Sequence, residues 1–253
     1  MKMFTEVQGP QRFSLSGATM GTRYSAVFYA VGGVDQATLQ ADLQQTVEQV
    51  DQQMSTWNPA STLMQLNAAP LGQWFSLPEE LLWVLTTALR ISVESDDAFD
   101  IGVGALVSAC GFGPQAAAER LPGRQPRARQ ALEVDVARRA VRKHAAISLD
   151  LNGIAKGFAV DQLARCLERH GIQAYLLGID GEMRAAGLKA DGSPWLVALE
   201  KPLKGRREVL GALELHDTAI ATSGDYRHWR ERDGRVYSHT MDPHSGAPLL
   251  STL

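Results

Sequence analysis

The pattern of hydrophobic and polar positions predicts both strands and helices in the first part of the chain. Residues 22–29 alternate and are rich in aromatic and branched side chains, which is typical of a strand. Apolar side chains recur every three or four positions over residues 35–54, which indicates a helix with one apolar face. A second helix is predicted to begin at Pro78, because two glutamates follow it and leucines then recur at helical spacing.

The same pattern predicts a sheet with fewer helices in the second half. A short apolar strand is predicted at residues 147–151, a helix over residues 154–171 and a strand at residues 173–179. Further strands are predicted at residues 195–200, 209–215 and 219–222. The fold class is therefore α+β or mixed α/β. Residues 114–130 are rich in proline, glycine, alanine and arginine, so we expect a mobile surface loop there.

Composition narrows the function classes. The chain has 253 residues, of which 45% are hydrophobic and 21% charged, enough for one large core or two smaller ones. A formal net charge of −3 gives no reason to expect a nucleic acid partner, and we expect none. Cys110 and Cys166 lie far apart and predict neither a disulfide framework nor a cysteine metal site. No apolar stretch is long enough to span a membrane, and no signal peptide is visible at the N-terminus.

A glycine-flanked turn before the third predicted helix is the first segment with candidate chemistry. In the run Gly153-Ile154-Ala155-Lys156-Gly157, backbone N–H groups and the lysine can be directed at an anion such as a phosphate. The spacing matches neither the P-loop nor the dinucleotide fingerprint. An ordinary turn with a solvated Lys156 is the alternative interpretation.

Three other segments carry polar groups that can serve either structure or function. Thr222, Ser223 and Asp225 follow an apolar strand and can cap a helix or hold a ligand. His239, in the run HTMDPHSG, can act as a general base near neutral pH, although a loop histidine is also commonly structural. Asp100 lies among apolar residues before two glycines and must be hydrogen-bonded, in an ordered turn or in a site.

Taken in order along the chain, these segments resemble the FAD:protein FMN transferases, formerly described as ApbE thiamine biosynthesis lipoproteins. The matching segments are MGT at residues 20–22, MSTW at 54–57, FD at 99–100, GIAKGFAVD at 153–161, TSGDY at 222–226 and HTMDPHSG at 239–246. The resemblance implies a two-part α+β fold, with residues 1–253 forming a single flavin-transferase-like unit and FAD lying in the cleft between the parts. Compared with the family, we expect the chain to lack the usual C-terminal strand and helix.

The resemblance also implies an activity. Family members transfer FMN from FAD to a threonine or serine hydroxyl of an acceptor protein, form a phosphoester bond and release AMP, with Mg²⁺ or another divalent cation. Two alternatives stay open: an FAD pyrophosphatase on the same fold, in which water replaces the hydroxyl, and an FAD-binding protein without catalysis.

Roles for individual residues follow from the same resemblance. His239 is expected to activate the acceptor hydroxyl, Lys156 to hold phosphate, and the Ala155 carbonyl to contribute to the cation site. The other residues expected to bind FAD line its flavin and adenine ends or the cleft wall. They are Met20, Trp57, Asp161, Thr222, Ser223 and Asp225.

One departure from the family bears on this site. Asp180 stands where the family usually has the first of two adjacent glycines, and a carboxylate beside an anionic pyrophosphate weakens binding unless it points away.

The family also implies an acceptor protein and a compartment. The acceptor is expected to carry an S/T-G-A-T/S motif and to be a membrane redox complex subunit, which places the chain in the periplasm or at the inner membrane. The chain contains SGAT at residues 16–19. At the position where the acceptor motif has an upstream aspartate, this chain has Phe13. The tetrapeptide also leads directly into a predicted strand. For both reasons we do not expect self-modification.

Overall fold

A computed structural model describes residues 9–114, 118, 123, 125–203, 205–224, 229–232 and 235–249. The α-helices are α1 (Gln36–Met54), α2 (Thr62–Ala68), α3 (Glu79–Glu94), α4 (Gly104–Ala109), α5 (Ala128–Ala131) and α6 (Ala155–Arg169), and a 3₁₀ helix spans Ile101–Val103. Within the described ranges, no helix is both long enough and apolar enough to cross a lipid bilayer.

The strands form one larger sheet and several small ones. They are β1 (Gln11–Thr19), β2 (Thr22–Ala30), β3 (Trp74–Ser76), β4 (Leu132–Asp135), β5 (Ala140–Lys143), β6 (Ala174–Ile179), β7 (Glu182–Ala186), β8 (Trp195–Glu200), β9 (Val209–Leu215), β10 (Thr218–Ile220), β11 (Trp229–Arg232), β12 (Arg235–Ser238), β13 (Met241–Asp242) and β14 (Ala247–Pro248). The larger sheet has the order β1-β2-β6-β7-β10. Every strand pair in the described part of the chain is antiparallel. Because regularly alternating βαβ units would produce parallel pairs, the fold is α+β rather than α/β.

The chain divides into two compact units. The first contains Met1–Gln49 and Lys156–Ser223, and the second contains Val50–Ala155 and Gly224–Leu253. The larger sheet and the β8-β9 hairpin belong to the first unit, and the remaining small sheets belong to the second.

In each unit, residues at the predicted apolar positions form part of the buried core. In the first unit, Tyr24, Ala26 and Phe28 of β2 are fully buried, as the alternation over residues 22–29 predicts. In the second unit, Leu81 and Leu85 of α3 are fully buried, as the helical spacing after Pro78 predicts. The strand and helix predicted from these two patterns are therefore confirmed.

The apolar run at residues 147–151 is not a strand, so that prediction is wrong. Its backbone groups are satisfied by other means, because the amide side chain of Asn67 takes the place of a partner strand. Leu149 N donates to Asn67 Oδ1 at 2.8 Å, and Asn67 Nδ2 donates to Leu149 O at 3.0 Å. Asp150 N donates to Ile101 O at 2.8 Å. An apolar run shows that a segment is buried, but not which groups pair with its backbone.

Only part of the predicted loop at residues 114–130 lies within the described residues, and its mobility stays a prediction. The prediction is wrong for its last residues, since α5 begins at Ala128 and both Arg127 and Ala128 are buried. The buried Arg127 forms ion pairs with two buried carboxylates. Its Nε lies 3.7 Å from Asp97 Oδ2, and its Nη1 lies 3.8 Å from Asp100 Oδ2.

Candidate functional site

Lys156 lies in the first turn of α6, in the first unit, and contacts the hairpin that joins β6 to β7. Its Nζ lies 3.0 Å from Asp180 Oδ2 and 3.9 Å from Glu182 Oε2. The Lys156 side chain is 28% exposed, so the ammonium is only partly available to solvent. The alternative of a solvated lysine on an ordinary turn is therefore not what the structure shows.

Thr222 holds the turn of the same hairpin. Its backbone N and its Oγ1 each lie 3.2 Å from Gly181 O and donate hydrogen bonds to that carbonyl. A β-carbon at residue 181 would lie 2.3 Å from Thr222 Oγ1, so any residue other than glycine requires the turn or the Thr222 side chain to shift. Lys156 and Thr222, 66 positions apart in the sequence, thus contact the same two-residue turn at residues 180–181.

Asp161 is one turn further along α6 and is tied to β7 by a charged residue that sequence reasoning missed. Arg184 Nη1 donates to Asp161 Oδ1 at 2.7 Å, and its Nη2 lies 3.9 Å from Glu168 Oε1. Tyr175 donates its hydroxyl hydrogen to Glu168 Oε1 at 2.7 Å. Burial, reinforced by this hydrogen bond, raises the pKa of Tyr175 well above its usual value.

Met20 occupies a constrained turn in the first unit. Met20 and Gly21 join β1 to β2, and both have positive φ, +46° and +71°. Two positive φ angles in a two-residue hairpin loop are the mark of a type I′ turn, which usually carries asparagine, aspartate or glycine. Methionine in the left-handed region costs on the order of 1 kcal/mol, and such strained positions cluster at functional sites.

The second unit holds Trp57 on a well-capped turn between α1 and α2. Ser55 Oγ accepts from the backbone N of both Trp57 and Asn58 at 3.2 Å. Ser61 caps α2 by accepting from Met64 N at 3.1 Å. The backbone is therefore fixed while the Trp57 side chain stays largely exposed, at 61%. An exposed indole on a rigid turn can stack on a planar ligand.

His239 lies between β12 and β13 in the second unit. Its ring meets Phe112 edge-on, with ring centroids 6.2 Å apart, and Arg230 stacks over Phe112 with its guanidinium carbon 5.8 Å from the ring centroid. In the turn that follows, Asp242 accepts from His244 N at 2.9 Å, and hydrogen bonding to Ser245 is the main cause of the lowered pKa of Asp242. The segment is thus an ordered hairpin that presents a partly exposed imidazole.

Ala155 begins α6 at the end of the glycine-flanked turn. Ala155 N donates to Leu151 O at 2.8 Å, and Asp150 fixes the turn by accepting from Asn152 N and Nδ2 at 2.8 and 3.1 Å. Burial raises the pKa of Asp150. The backbone carbonyl of Ala155 is a neutral ligand, and the described residues gather no cluster of three acidic, histidine or cysteine side chains that could hold a metal. They therefore do not by themselves fit a hard divalent cation, which prefers several oxygens.

A buried charge network in the second unit was also missed from sequence. Arg129 Nε and Nη2 donate to the two oxygens of Asp97 at 2.6 and 2.8 Å, and Arg127 Nη2 lies 3.2 Å from His244 Nδ1. Because a guanidinium only donates, Nδ1 of His244 is the acceptor in this contact. Asp100 accepts hydrogen bonds from Gly102 N at 2.8 Å and from Ala128 N at 3.1 Å. Of the two interpretations of this aspartate, an ordered turn or a site, the structure therefore supports the ordered turn.

The predicted site residues divide between the two units. In the first unit, Lys156 and Thr222 contact the turn at residues 180–181, while Ser223 is exposed beside Thr222. In the second unit, Trp57 and His239 lie on separate ordered turns. Asp225 lies outside the described residues. The ligand roles of all these residues stay predictions.

Antiparallel sheets and helices in one chain define an α+β protein. Each of its two units presents polar residues that form a candidate ligand site. The ApbE family model matches residues 20–253. The FAD:protein FMN transferase of Vibrio cholerae is 38% identical over 246 residues, which is 94% of this chain and 74% of that protein. The FAD:protein FMN transferase of Escherichia coli K12 is 33% identical over 250 residues, covering 94% and 71%.

Solved structures agree with these sequence matches. The flavin transferase ApbE from Vibrio cholerae has a TM-score of 0.83 at 35% identity, covering 95% of this chain and 79% of that one. The apo crystal structure of the Pseudomonas stutzeri flavinyl transferase ApbE also has a TM-score of 0.83, at 36% identity, covering 99% and 78%. The chain therefore belongs to the ApbE family. The predicted family and the α+β flavin-transferase fold are confirmed.

Proposed function

We propose that this protein is an FAD:protein FMN transferase. It binds FAD, transfers FMN to a threonine or serine hydroxyl of an acceptor protein and releases AMP. Family membership over residues 20–253, together with relatives that carry this name, is the observation that supports the proposal. Lys156, which contacts the constrained turn at residues 180–181, and the partly exposed imidazole of His239 are suited to this chemistry.

The proposed reaction is a nucleophilic displacement at phosphorus. The acceptor hydroxyl oxygen attacks the FMN-side phosphorus, a new P–O bond forms, and the bond to the bridging oxygen breaks so that AMP leaves with that oxygen. His239 takes the hydroxyl proton as general base. Lys156 compensates the negative charge on the phosphate oxygens, which is the main demand of phosphoryl transfer. Trp57 stacks on the flavin, while Met20, Asp161, Thr222, Ser223 and Asp225 line the rest of the ligand.

A divalent cation such as Mg²⁺ is part of the proposal as a charge-neutralising partner of the pyrophosphate. Ala155 would offer it one backbone carbonyl, and the described residues do not complete its coordination. The acceptor is proposed to be a membrane redox subunit with an S/T-G-A-T/S motif, and the compartment to be the periplasm or the inner membrane.

Mass spectrometry of an acceptor peptide after incubation with the protein, FAD and Mg²⁺ tests the proposal. Addition of one FMN by the wild type but not by His239→Ala is expected. The matched control is His216→Ala, because His216 is an exposed histidine of the first unit whose Nε2 lies 3.1 Å from Oδ2 of the neighbouring Asp217. AMP release without peptide modification would identify an FAD pyrophosphatase instead. FAD binding with neither product would identify a binding protein.

A further inference from the structure

The ammonium of Lys156 is compensated by carboxylates of the chain itself. Asp180 Oδ2 lies within hydrogen-bonding distance, at 3.0 Å, whereas Glu182 Oε2 lies at 3.9 Å. The side chains of Lys156 and Asp180 are 28% and 36% exposed, so their attraction is screened less than that of a fully solvated pair. A phosphate that approaches Lys156 therefore meets a cation that is already paired.

The backbone fixes Asp180 in this position. Asp180 has φ of +53°, in the left-handed region that aspartate and asparagine tolerate better than most residues. Its neighbour Gly181 is held by two hydrogen bonds from Thr222. Ile179 and Glu182 pair directly across the hairpin, so the turn has no spare residue with which to relax. The carboxylate of Asp180 is thus presented to Lys156 by a constrained turn and not by a flexible loop.

Of the two carboxylates, Asp180 is the one that a ligand can displace. Glu182 lies in β7, and its Oε2 is buried without a hydrogen-bond partner in the described part of the structure. Burial raises the pKa of Glu182, which disfavours its charged form. Asp180 lies at the tip of the hairpin, is more exposed and makes the shorter contact. Its side chain can rotate toward solvent without unpairing a strand.

We propose that Asp180 is an internal competitor for Lys156, so that a diphosphate-containing ligand gains the lysine only by displacing the Asp180 carboxylate. The inference rests on the proposed function, in which Lys156 holds the pyrophosphate of FAD. Asp180 lowers the affinity of every pyrophosphate ligand by the same factor. FAD makes further contacts at its flavin and adenine ends, so it still binds. ADP and similar fragments lack the flavin contacts and bind only weakly. Asp180 therefore sets an affinity threshold that the complete dinucleotide passes and its pyrophosphate fragments do not, while the ratio of FAD to ADP affinity stays the same.

Calorimetric titration with ADP, FAD and riboflavin tests this role. Asp180→Asn removes the charge but suits the same left-handed backbone, and we expect it to bind ADP and FAD each about tenfold more tightly. Riboflavin, which has no phosphate, is expected to bind the variant and the wild type equally. The matched control is Glu214→Gln, which removes an exposed carboxylate from β9 in the other sheet of the same unit and should change no affinity.

Lys156→Met provides the second arm of a double-mutant cycle. In a Lys156→Met background, adding Asp180→Asn should no longer improve ADP or FAD binding, because the cation for which the carboxylate competes is gone. A tenfold gain that persists without Lys156 overturns the inference, and so does unchanged ADP and FAD binding by Asp180→Asn. If FAD binds the wild type in that case, the inference fails alone. If FAD binds neither the wild type nor any variant, the proposed function fails with it.

Discussion

A β-carbon added to Gly181 would lie 2.3 Å from the hydroxyl oxygen of Thr222, closer than packed atoms approach. The same hydroxyl and the Thr222 amide both donate to the Gly181 carbonyl. We expect Gly181→Ala to lower the free energy of unfolding by about 1 to 3 kcal/mol. It should also weaken FAD binding, because the turn that faces Lys156 must shift. Urea denaturation and FAD titration of the variant measure the two effects.

Gly211→Ala is the control for glycine replacement itself. Gly211 lies in β9, and no atom stands within 4 Å of the position of its added β-carbon. Its substitution should leave stability within about 0.5 kcal/mol of the wild type or raise it slightly. Equal stability of the Gly181 and Gly211 variants would show that Thr222 does not constrain the turn.

Met20→Asn should separate stability from ligand binding. Asparagine tolerates the left-handed backbone better than methionine, so we expect the free energy of unfolding to rise by about 1 kcal/mol. Loss of the thioether from the proposed FAD site should at the same time weaken FAD binding. Thermal denaturation and fluorescence titration of flavin on the same preparations measure both quantities.

Arg139→Asn controls for the relief of backbone strain. Arg139 has a φ of +49° and an exposed side chain in the second unit, on a turn that has no proposed ligand role. It should gain a similar stability without any change in FAD binding. If Met20→Asn bound FAD as tightly as the wild type, Met20 would have no place in the proposed site.

Asp97 should make the protein sensitive to acid. Hydrogen bonding to Arg129 is the main cause of the lowered pKa of Asp97, so its stabilising contribution is present above the pKa of the unfolded state and is lost as pH falls through the folded value. Asp97→Ala also leaves Arg127, with a side chain only 6% exposed, short of one partner. We expect a loss of about 3 kcal/mol at pH 7, shrinking toward pH 3. Urea denaturation across this pH range measures it.

The exposed pair Arg90–Glu94 supplies the comparison for Asp97. Its nitrogen and oxygen are 2.6 Å apart, but its side chains are 63% and 57% exposed. Glu94→Ala should change stability by less than about 1 kcal/mol. A loss at Asp97 no larger than the loss at Glu94 would contradict a structural role for the buried network.

Asp150 should show the opposite dependence on pH. Because burial raises its pKa, its charged form weakens the fold above the folded value, and that cost is relieved as pH falls through it. Asp150→Asn should therefore be neutral or stabilising at pH 7. Asp150→Ala should cost about 1 to 3 kcal/mol, because it leaves Asn152 N–H without its acceptor. If denaturation ranked the alanine variant above the asparagine variant, the cause assigned to the shift would be wrong.

Long periodic segments were predictable from the sequence. The helices predicted at residues 35–54, after Pro78 and at residues 154–171 are confirmed by α1, α3 and α6. Their apolar spacing is set by one packed face, which a local pattern records. β1 was missed because its Ser, Gly and Ala residues carry little strand propensity. Its strand structure depends on pairing with β2 across the Met20-Gly21 turn.

The candidate site was predictable only in part. The turn around Lys156 was recognised from its glycines, but its contact with Asp180 joins residues 24 positions apart. The ion pairs of Arg184 and Arg129 could not be predicted from the neighbouring sequence. An arginine in a strand or a short helix is expected to be exposed unless a carboxylate pairs with it, and the sequence does not show where that carboxylate lies. Ion pairs of this kind arise from chain topology, which single-sequence patterns do not specify.

The burial of Thr19 has a consequence for the identity of the substrate. The tetrapeptide at residues 16–19 forms the end of β1, where Thr19 pairs with Thr22, is only 9% exposed and keeps its hydroxyl oxygen buried. Under the proposed function, an enzyme that modifies a short peptide carries a close copy of that peptide in its own chain. Because folding buries the Thr19 hydroxyl oxygen, we expect the native protein not to modify this segment, and we expect an acceptor to present its threonine outside a paired strand.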